Sequence, residues 1–271
     1  MSRVALPHRR GWGETARRDR WWLPPLLVFA GFSLFIVYAT WAALQGEHYT
    51  LPGTSYLSPF YSPELWHPPG KPSHHAWFGE LPGWWPAWLP YSPAVFILWA
   101  PGGFRLTCYY YRGAYYKAFW ADPPACSVGE PRKGYIGESN WPLRIQNIHR
   151  YFLYVAVLFI GLLAWDAIKA FWFPEGESGG RFGIGVGSLV LTVNVVLLAE
   201  YTFGCHSLRH LVGGRKDCLS ESPACKAMHK GCSALNRKHG LWAWLSLFSV
   251  MFADVYVRLC SMGVWKDLRI L

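Results

Sequence analysis

Residues 148–163 read IHRYFLYVAVLFIGLL, and no charged side chain follows Arg150 until Asp166. The apolar character continues to residue 173, so the stretch is long enough to cross a bilayer as a helix, which takes about 20 predominantly apolar residues. It therefore predicts a transmembrane helix that begins at a His-Arg pair.

The rest of the chain contains four more stretches of this kind. Hydrophobic residues make up 52% of the 271 residues and charged residues only 15%, which is too apolar for an ordinary soluble domain and too polar for helices alone. The second stretch is the least regular, because Pro101, Gly102 and Gly103 interrupt it and two arginines lie within it. We predict an all-α integral membrane protein with about five transmembrane helices, at residues 23–44, 88–120, 148–173, 184–211 and 241–262.

Lysine and arginine are concentrated in alternate connecting segments, and this sets the orientation. Since positively charged loops stay in the cytoplasm, we predict a cytoplasmic N-terminus and an external C-terminus. The net charge of +10 is then explained mainly by these cytoplasmic loops, which also favour contact with anionic lipid. It does not indicate nucleic-acid binding. The predicted parts are a basic cytoplasmic tail (1–22), two helices with an external Pro- and Trp-rich loop (23–120), a cytoplasmic loop (121–147), and a three-helix core with a cytoplasmic Cys- and His-rich loop at 212–239 (148–271).

Several helix ends bring ligand-type side chains to the cytoplasmic level of the membrane. Such groups are costly at membrane depth and are candidates for function. On a helix His206 and His210 share one face, whereas Cys205 lies about 100° away on the face of Arg209. The residues gathered at this depth are Cys108, Arg112, Cys126, His149, Arg150, Cys205, His206, Arg209, His210 and His239.

Other thiols and histidines are interpreted more simply. Cys218, Cys225 and Cys232 recur every seven residues, but Pro223 and Gly231 interrupt a common stripe, and no CxxC motif occurs. We interpret these thiols as structural, since zinc ribbons and ferredoxin-type clusters use CxxC pairs. The external loop contains a His74-His75 pair, for which surface histidines are favoured over a metal site.

Three stretches resemble one protein family. IHRYFLYVAVLFIGLL resembles the first helix of the membrane anchors of succinate dehydrogenase and fumarate reductase, SLRHLVGGRKD resembles their second-helix signature, and ADVYVRL at 253–259 fits the third helix. The similarity covers about residues 145–265, and the two extra N-terminal helices resemble those of the larger five-helix actinobacterial anchors.

The resemblance implies partners, a substrate and site residues. Anchors of this family hold a flavoprotein subunit and an iron–sulfur subunit on the cytoplasmic face and pass electrons to membrane quinone, here menaquinone or ubiquinone. His149 and Arg150 match the pair near the quinone pocket, with Tyr151 in place of a small polar residue. Arg209 and His210 match the pair beside the haem propionates, but the position of the axial haem histidine is occupied by Phe203.

Two cysteines and two histidines are the donors of a Rieske-type [2Fe–2S] centre. We predict such a centre with ligands Cys126, Cys205, His210 and His239, and with Cys108 and His206 as reserves. Two alternatives stay open: a haem b held by two histidines, for example His206 and His239, and a cofactor-free anchor with a quinone pocket. A transporter is disfavoured because the sequence shows no internal repeat.

The remaining predictions concern quinone, protons and location. Arg112 and Tyr116, with Tyr109 and Tyr110, line a quinone headgroup or form an aromatic belt. Glu200 relays protons or hydrogen-bonds a neighbouring group, and Asp254 and Arg258, four residues apart, satisfy each other. The chain has no nucleotide-binding glycine motif for flavin, so we expect one subunit of a succinate dehydrogenase, multi-pass in a bacterial plasma membrane.

Overall fold

The structure is a computed structural model that describes residues 11–86, 88, 91–132, 143–175, 179–214 and 218–271. Parts of the predicted N-terminal tail and of the loop at 121–147 lie outside these ranges. In the described part, four helices are long and apolar enough to cross a membrane: Leu23–Gln45, Arg144–Lys169, Val186–Phe203 and His239–Ser261. They agree with four of the five predicted stretches.

The second predicted stretch is helical but not one helix. It consists of α2 (Pro93–Ile97), α3 (Trp99–Leu106), α4 (Tyr109–Ala114) and a π-helical turn at Tyr115–Phe119, after α1 (Leu23–Gln45). Pro101 lies in the first turn of α3, where a missing N–H is tolerated. The helical segment is interrupted at Leu98, just before α3, and again at Thr107 and Cys108. Gly103 allows a close approach, since a Cβ there would lie 2.2 Å from the Phe152 ring.

The fourth predicted helix is shorter than expected. After α5 (His149–Lys169) and a small antiparallel hairpin of β1 (Trp172–Glu175) and β2 (Gly179–Phe182), α6 (Val186–Phe203) ends before Gly204. A separate helix, α7 (His206–Gly213), follows. The predicted loop at 212–239 contains α8 (Pro223–Asn236), and α9 (His239–Ser261) completes the chain apart from a short tail.

The chain forms two compact units, of which the first contains residues 1–34 and 105–148. In its described part the start of α1 packs against α4 and the π-helical turn through aromatic rings, with Phe32 edge-on to Tyr111 at a centroid distance of 4.9 Å. The segment before α1 pairs with residues 126–129. Gly13 N–H donates to Gly129 O at 3.0 Å, and the Thr15 hydroxyl donates to Ser127 O at 2.8 Å.

The second unit contains residues 35–104 and 149–271, in which α6 packs against α5 and α9. The segment after α1, residues 46–86, folds over one end of these helices, and we call it the cap. Its serines donate to carboxylates of the bundle: Ser58 to Asp254 of α9, and Ser62 to Asp166 of α5. The tail after α9, residues 262–271, is also held by hydrogen bonds. The Asp267 carboxylate accepts from the Tyr56 hydroxyl of the cap at 3.0 Å and from the Tyr256 hydroxyl of α9 at 2.7 Å.

A buried ion pair lies beneath the cap. Asp254 and Arg258 are 0% and 3% exposed, and the Arg258 Nε donates to the Asp254 Oδ2 at 3.1 Å. This confirms the predicted pairing, and the structure adds partners that the spacing did not reveal. The Tyr38 hydroxyl of α1 donates to Asp254 at 2.6 Å, and Arg258 donates to the Glu47 carbonyl at 2.9 Å.

Replacement of Arg258 by Met should destabilise the protein strongly. It leaves the Asp254 carboxylate buried without its ionic partner, which costs about 3–5 kcal/mol. The thermal midpoint of the detergent-purified protein, measured with its partner subunits, should drop clearly. The control is Lys71→Met, which removes the exposed ion pair with Glu47, worth at most about 1 kcal/mol. Equal shifts for the two variants would contradict this prediction.

The cap also contains a buried histidine that should make it sensitive to acid. His75 is 5% exposed, and its two ring nitrogens have no hydrogen-bond partner among the described residues. Burial, with smaller contributions from His74 and Lys169, lowers the pKa of His75 to about 3, whereas an unfolded histidine has a pKa of about 6.5. Between about pH 6.5 and 3, His75 is therefore protonated in the unfolded chain but not in the folded one. The free energy of unfolding falls as the pH decreases through this range.

His75→Phe should flatten the loss of stability between about pH 6.5 and 4, as measured by thermal midpoints across that range. His48→Gln, in an exposed histidine of the same cap, should leave the acid dependence unchanged. An unchanged acid profile in His75→Phe would show that His75 is not the group responsible.

Candidate functional site

The end of the second unit opposite the cap is built from helix ends. His149 begins α5, His239 begins α9, and Tyr201 lies in the last turn of α6. Cys205 is the N-cap residue of α7, with a non-helical ψ of 138° and its Sγ accepting from the Ser207 N–H at 3.4 Å. The sequence therefore places three ligand-type side chains where helices begin, at one end of the bundle.

Two of these side chains are in direct contact. The His149 Nε2 lies 3.1 Å from the Cys205 Sγ, and the residues are 7% and 2% exposed. The Phe104 ring stacks on the His149 ring at a centroid distance of 4.5 Å and an interplanar angle of 13°. A thiol and an imidazole are thus held together away from water, with the imidazole ring fixed by an aromatic neighbour.

The third side chain is positioned by a second stack. The Tyr201 ring, 1% exposed, stacks on the His239 ring at 5.0 Å with an interplanar angle of 14°. Phe104 packs edge-on against Tyr201 at 5.6 Å. Phe104 and Tyr201 therefore connect the two histidines through a row of aromatic rings.

The α7 surface holds the other two histidines of the prediction. The Nε2 atoms of His206 and His210 are 2.9 Å apart, and both residues are exposed. Partial burial, then the nearby His210 and Arg209, lower the pKa of His206. The Arg209 Nε donates to the His229 Nε2 of α8 at 3.3 Å.

The first unit contains the remaining predicted ligands and two of the predicted quinone residues. Cys108 is buried and precedes α4, whereas Cys126 is exposed and its carbonyl accepts from Arg17 at 3.0 Å. The Arg112 guanidinium lies 3.8 Å from the centroid of the Tyr109 ring. Tyr116 is partly buried, and its carbonyl accepts from the Asp122 N–H at 2.8 Å.

Two further predicted residues lie at the same end of the second unit. Arg150 is exposed and its guanidinium lies 5.7 Å from the centroid of the Tyr151 ring. Glu200 is partly buried on α6, one turn before Gly204. Residues 215–217, which end the SLRHLVGGRKD stretch, lie outside the described part.

The structure does not assemble the predicted ligand quartet around one ion. Among the described residues, no three His, Cys, Asp or Glu side chains converge on a position that suits a metal ion. Cys205 contacts His149, His210 contacts His206, and His239 contacts Tyr201. Cys126 belongs to the other unit.

Sequence reasoning missed the role of His149 as the partner of Cys205. It also missed Phe104 and Tyr201, which pack on the two imidazoles. The signal for His149 was present, because it begins one predicted helix at the level where another ends at Cys205. The family resemblance had instead implied that His149 lies near the quinone pocket.

Comparison with known proteins gives two matches. The family model of the actinobacterial succinate dehydrogenase subunit SdhC matches residues 23–263. A chain of the solved structure "Mycobacterium smegmatis Sdh1 complex in the apo form" is similar over 98% of both chains, with 42% sequence identity and a TM-score of 0.84. No curated protein matches the sequence.

Proposed function

The chain belongs to the actinobacterial succinate dehydrogenase SdhC family, and on that premise we propose that it anchors a succinate dehydrogenase in the plasma membrane and transfers its electrons to quinone. Its partners are the flavoprotein and iron–sulfur subunits on the cytoplasmic face, as the similarity to a chain of an Sdh complex supports. Succinate oxidation then belongs to the partners. This chain supplies the membrane part of the enzyme.

We propose that the chain crosses the membrane five times, with the broken segment α2–α4 as the second crossing. Two contacts of α1 support this. The Ser92 hydroxyl, just before α2, donates to the Ala43 carbonyl near the end of α1, and residues 126–129 pair with residues 13–17 before the start of α1. A return crossing between residues 92 and 126 would bring a chain that crosses in α1 back to residues 13–17, and these contacts support the proposal for that reason.

This topology predicts the behaviour of reporter fusions. Alkaline phosphatase, which is active only outside the cytoplasm, should be active when fused after residue 271 and inactive when fused after residue 130. A fluorescent protein that matures only in the cytoplasm should give the reverse pattern and serves as the control. Active phosphatase at residue 130 would contradict the second crossing.

The contact of Cys205 with His149 is the observation that carries the proposed electron-transfer site. We propose that Cys205, His149 and His239 donate to a Rieske-type [2Fe–2S] centre, because such a centre takes thiolates on one iron and imidazoles on the other. The residues fit in kind: one buried thiol and two imidazoles held by Phe104 and Tyr201. A bound centre of this type supplies one-electron transfer at a higher potential than an all-cysteine cluster.

The sequence predicts Cys126 as a second thiolate, with Cys108 in reserve, and both stay predictions from the sequence alone. The geometry of the second unit favours His149 over the predicted His210, because the His210 ring contacts His206 rather than Cys205. For the haem b alternative, the two predicted example ligands have different neighbours: His206 contacts His210, and His239 stacks on Tyr201.

Quinone is proposed to bind at the same end of the helices. Arg150 at the start of α5 and Arg209 in α7 supply hydrogen-bond donors from which a quinone carbonyl could accept. Arg112 and Tyr116 stay quinone contacts predicted from the sequence alone. Glu200, partly buried one turn from Gly204, is the proposed carrier of the protons that quinone reduction takes up. Phe104 packs on His149, and His149 contacts the buried Cys205 thiol.

The test is low-temperature EPR of the dithionite-reduced complex. Cys205→Ser and His239→Ala should each abolish a signal of low average g-value and reduce quinone reduction by at least about tenfold, since loss of a ligand removes the centre. The matched control is Cys260→Ser, in a cysteine that is equally buried at the other end of α9. It should leave both readouts unchanged.

Two other outcomes would overturn the iron–sulfur proposal. An unchanged EPR spectrum together with reduced-haem absorption bands would assign the histidines to haem b. An unchanged spectrum without haem bands would leave the chain as an anchor with a quinone pocket.

A further inference from the structure

The exposed histidine pair of α7 is not used by the electron-transfer site proposed above. His206 and His210 lie one turn apart with their Nε2 atoms at 2.9 Å and their rings inclined at 80°. Both side chains are exposed, unlike the buried pair His149 and Cys205. The two imidazoles are therefore already brought together at the surface of a helix.

Their separation is close to the one that two ligands of a shared metal ion have. Zinc–nitrogen bonds are about 2.0–2.1 Å long, so two nitrogens 2.9 Å apart subtend an angle of about 90° at one ion. A tetrahedral angle needs about 3.3 Å, which a small rotation of two exposed rings provides. The same spacing of two histidines on one helix face binds zinc in H-E-x-x-H helices.

The groups around the pair leave it accessible. Arg209, the one charged side chain between the two histidines in sequence, donates to His229 of α8. Nitrogen donors of this kind suit zinc, nickel and copper. Two protein ligands leave the other coordination positions to water or to a group supplied from outside.

We propose that His206 and His210 chelate a divalent transition-metal ion of the zinc class on the surface of α7, separate from the site at Cys205. The alternative for the same distance is a hydrogen bond between the two rings, which binds no ion. This proposal depends on the proposed function in one respect. It requires that the electron-transfer centre uses Cys205, His149 and His239 and not the pair His206 and His210.

Zinc binding to the intact purified complex tests the proposal, by equilibrium dialysis with metal analysis. The wild-type complex should bind one more zinc ion per chain than His206→Ala or His210→Ala, or bind it at least about tenfold more tightly, because the second ring of a chelate binds intramolecularly. The matched control is His229→Ala, which removes a histidine next to the pair and should keep wild-type zinc binding. All three variants should keep the EPR signal of the complex.

Two results would overturn the proposal. Equal zinc number and affinity in wild type and both pair variants would leave only a hydrogen bond between the rings. Loss of the low-g EPR signal in either variant would return the pair to the iron–sulfur centre. If the proposed electron-transfer site is wrong, the wild-type complex itself lacks the low-g EPR signal. Zinc binding of the wild type and the variants can still be compared in that case, so the two failures are distinguishable.

Discussion

The buried ion pair of Asp254 and Arg258 constrains the cap end of the second unit. Removing two charges from water costs several kcal/mol per ion unless each hydrogen-bonding position is used. Here the carboxylate accepts from Tyr38 of α1 and from Ser58 of the cap as well as from Arg258. The pair is therefore tolerated only when α1, the cap and α9 are assembled in one register.

The opposite end of the same unit is organised differently. At the cap end polar groups are satisfied by other segments of the chain, as with Ser62 on Asp166 and Tyr256 on Asp267. At the other end the polar groups are histidines and a thiol that pack on aromatic rings. Imidazole rings that are held by aromatic packing, as His149 is by Phe104 and His239 by Tyr201, suit the electron-transfer site proposed at this end.

The sequence predicted the apolar helices well and their interruptions poorly. Apolar runs fix where a helix can lie in a membrane, so four stretches agree with α1, α5, α6 and α9. Pro101 suggested one break, whereas the structure has two, at Leu98 before α3 and at Thr107 and Cys108 after it, because a proline is tolerated in the first turn of a helix. The contact of His149 with Cys205 was not predicted from the sequence. His149 and Cys205 are far apart in sequence, and only the packing of α5 against α7 brings them together.

The interruption between α6 and α7 accounts for two contacts, that of His149 with Cys205 and that of His206 with His210. Gly204 permits it, because a Cβ there would lie 2.8 Å from the Glu200 carbonyl and 3.2 Å from the Leu235 Cβ. The extended backbone of Cys205 then turns its thiol to His149. The new helix begins at His206, so His206 and His210 share a face that is exposed while Cys205 is buried. In an uninterrupted helix, Cys205 would lie beside Arg209 at the edge of the same surface. The break therefore separates the buried Cys205 thiol from the exposed imidazoles of His206, the next residue, and His210. A continuous helix through FGCHSLRH would not separate them in this way.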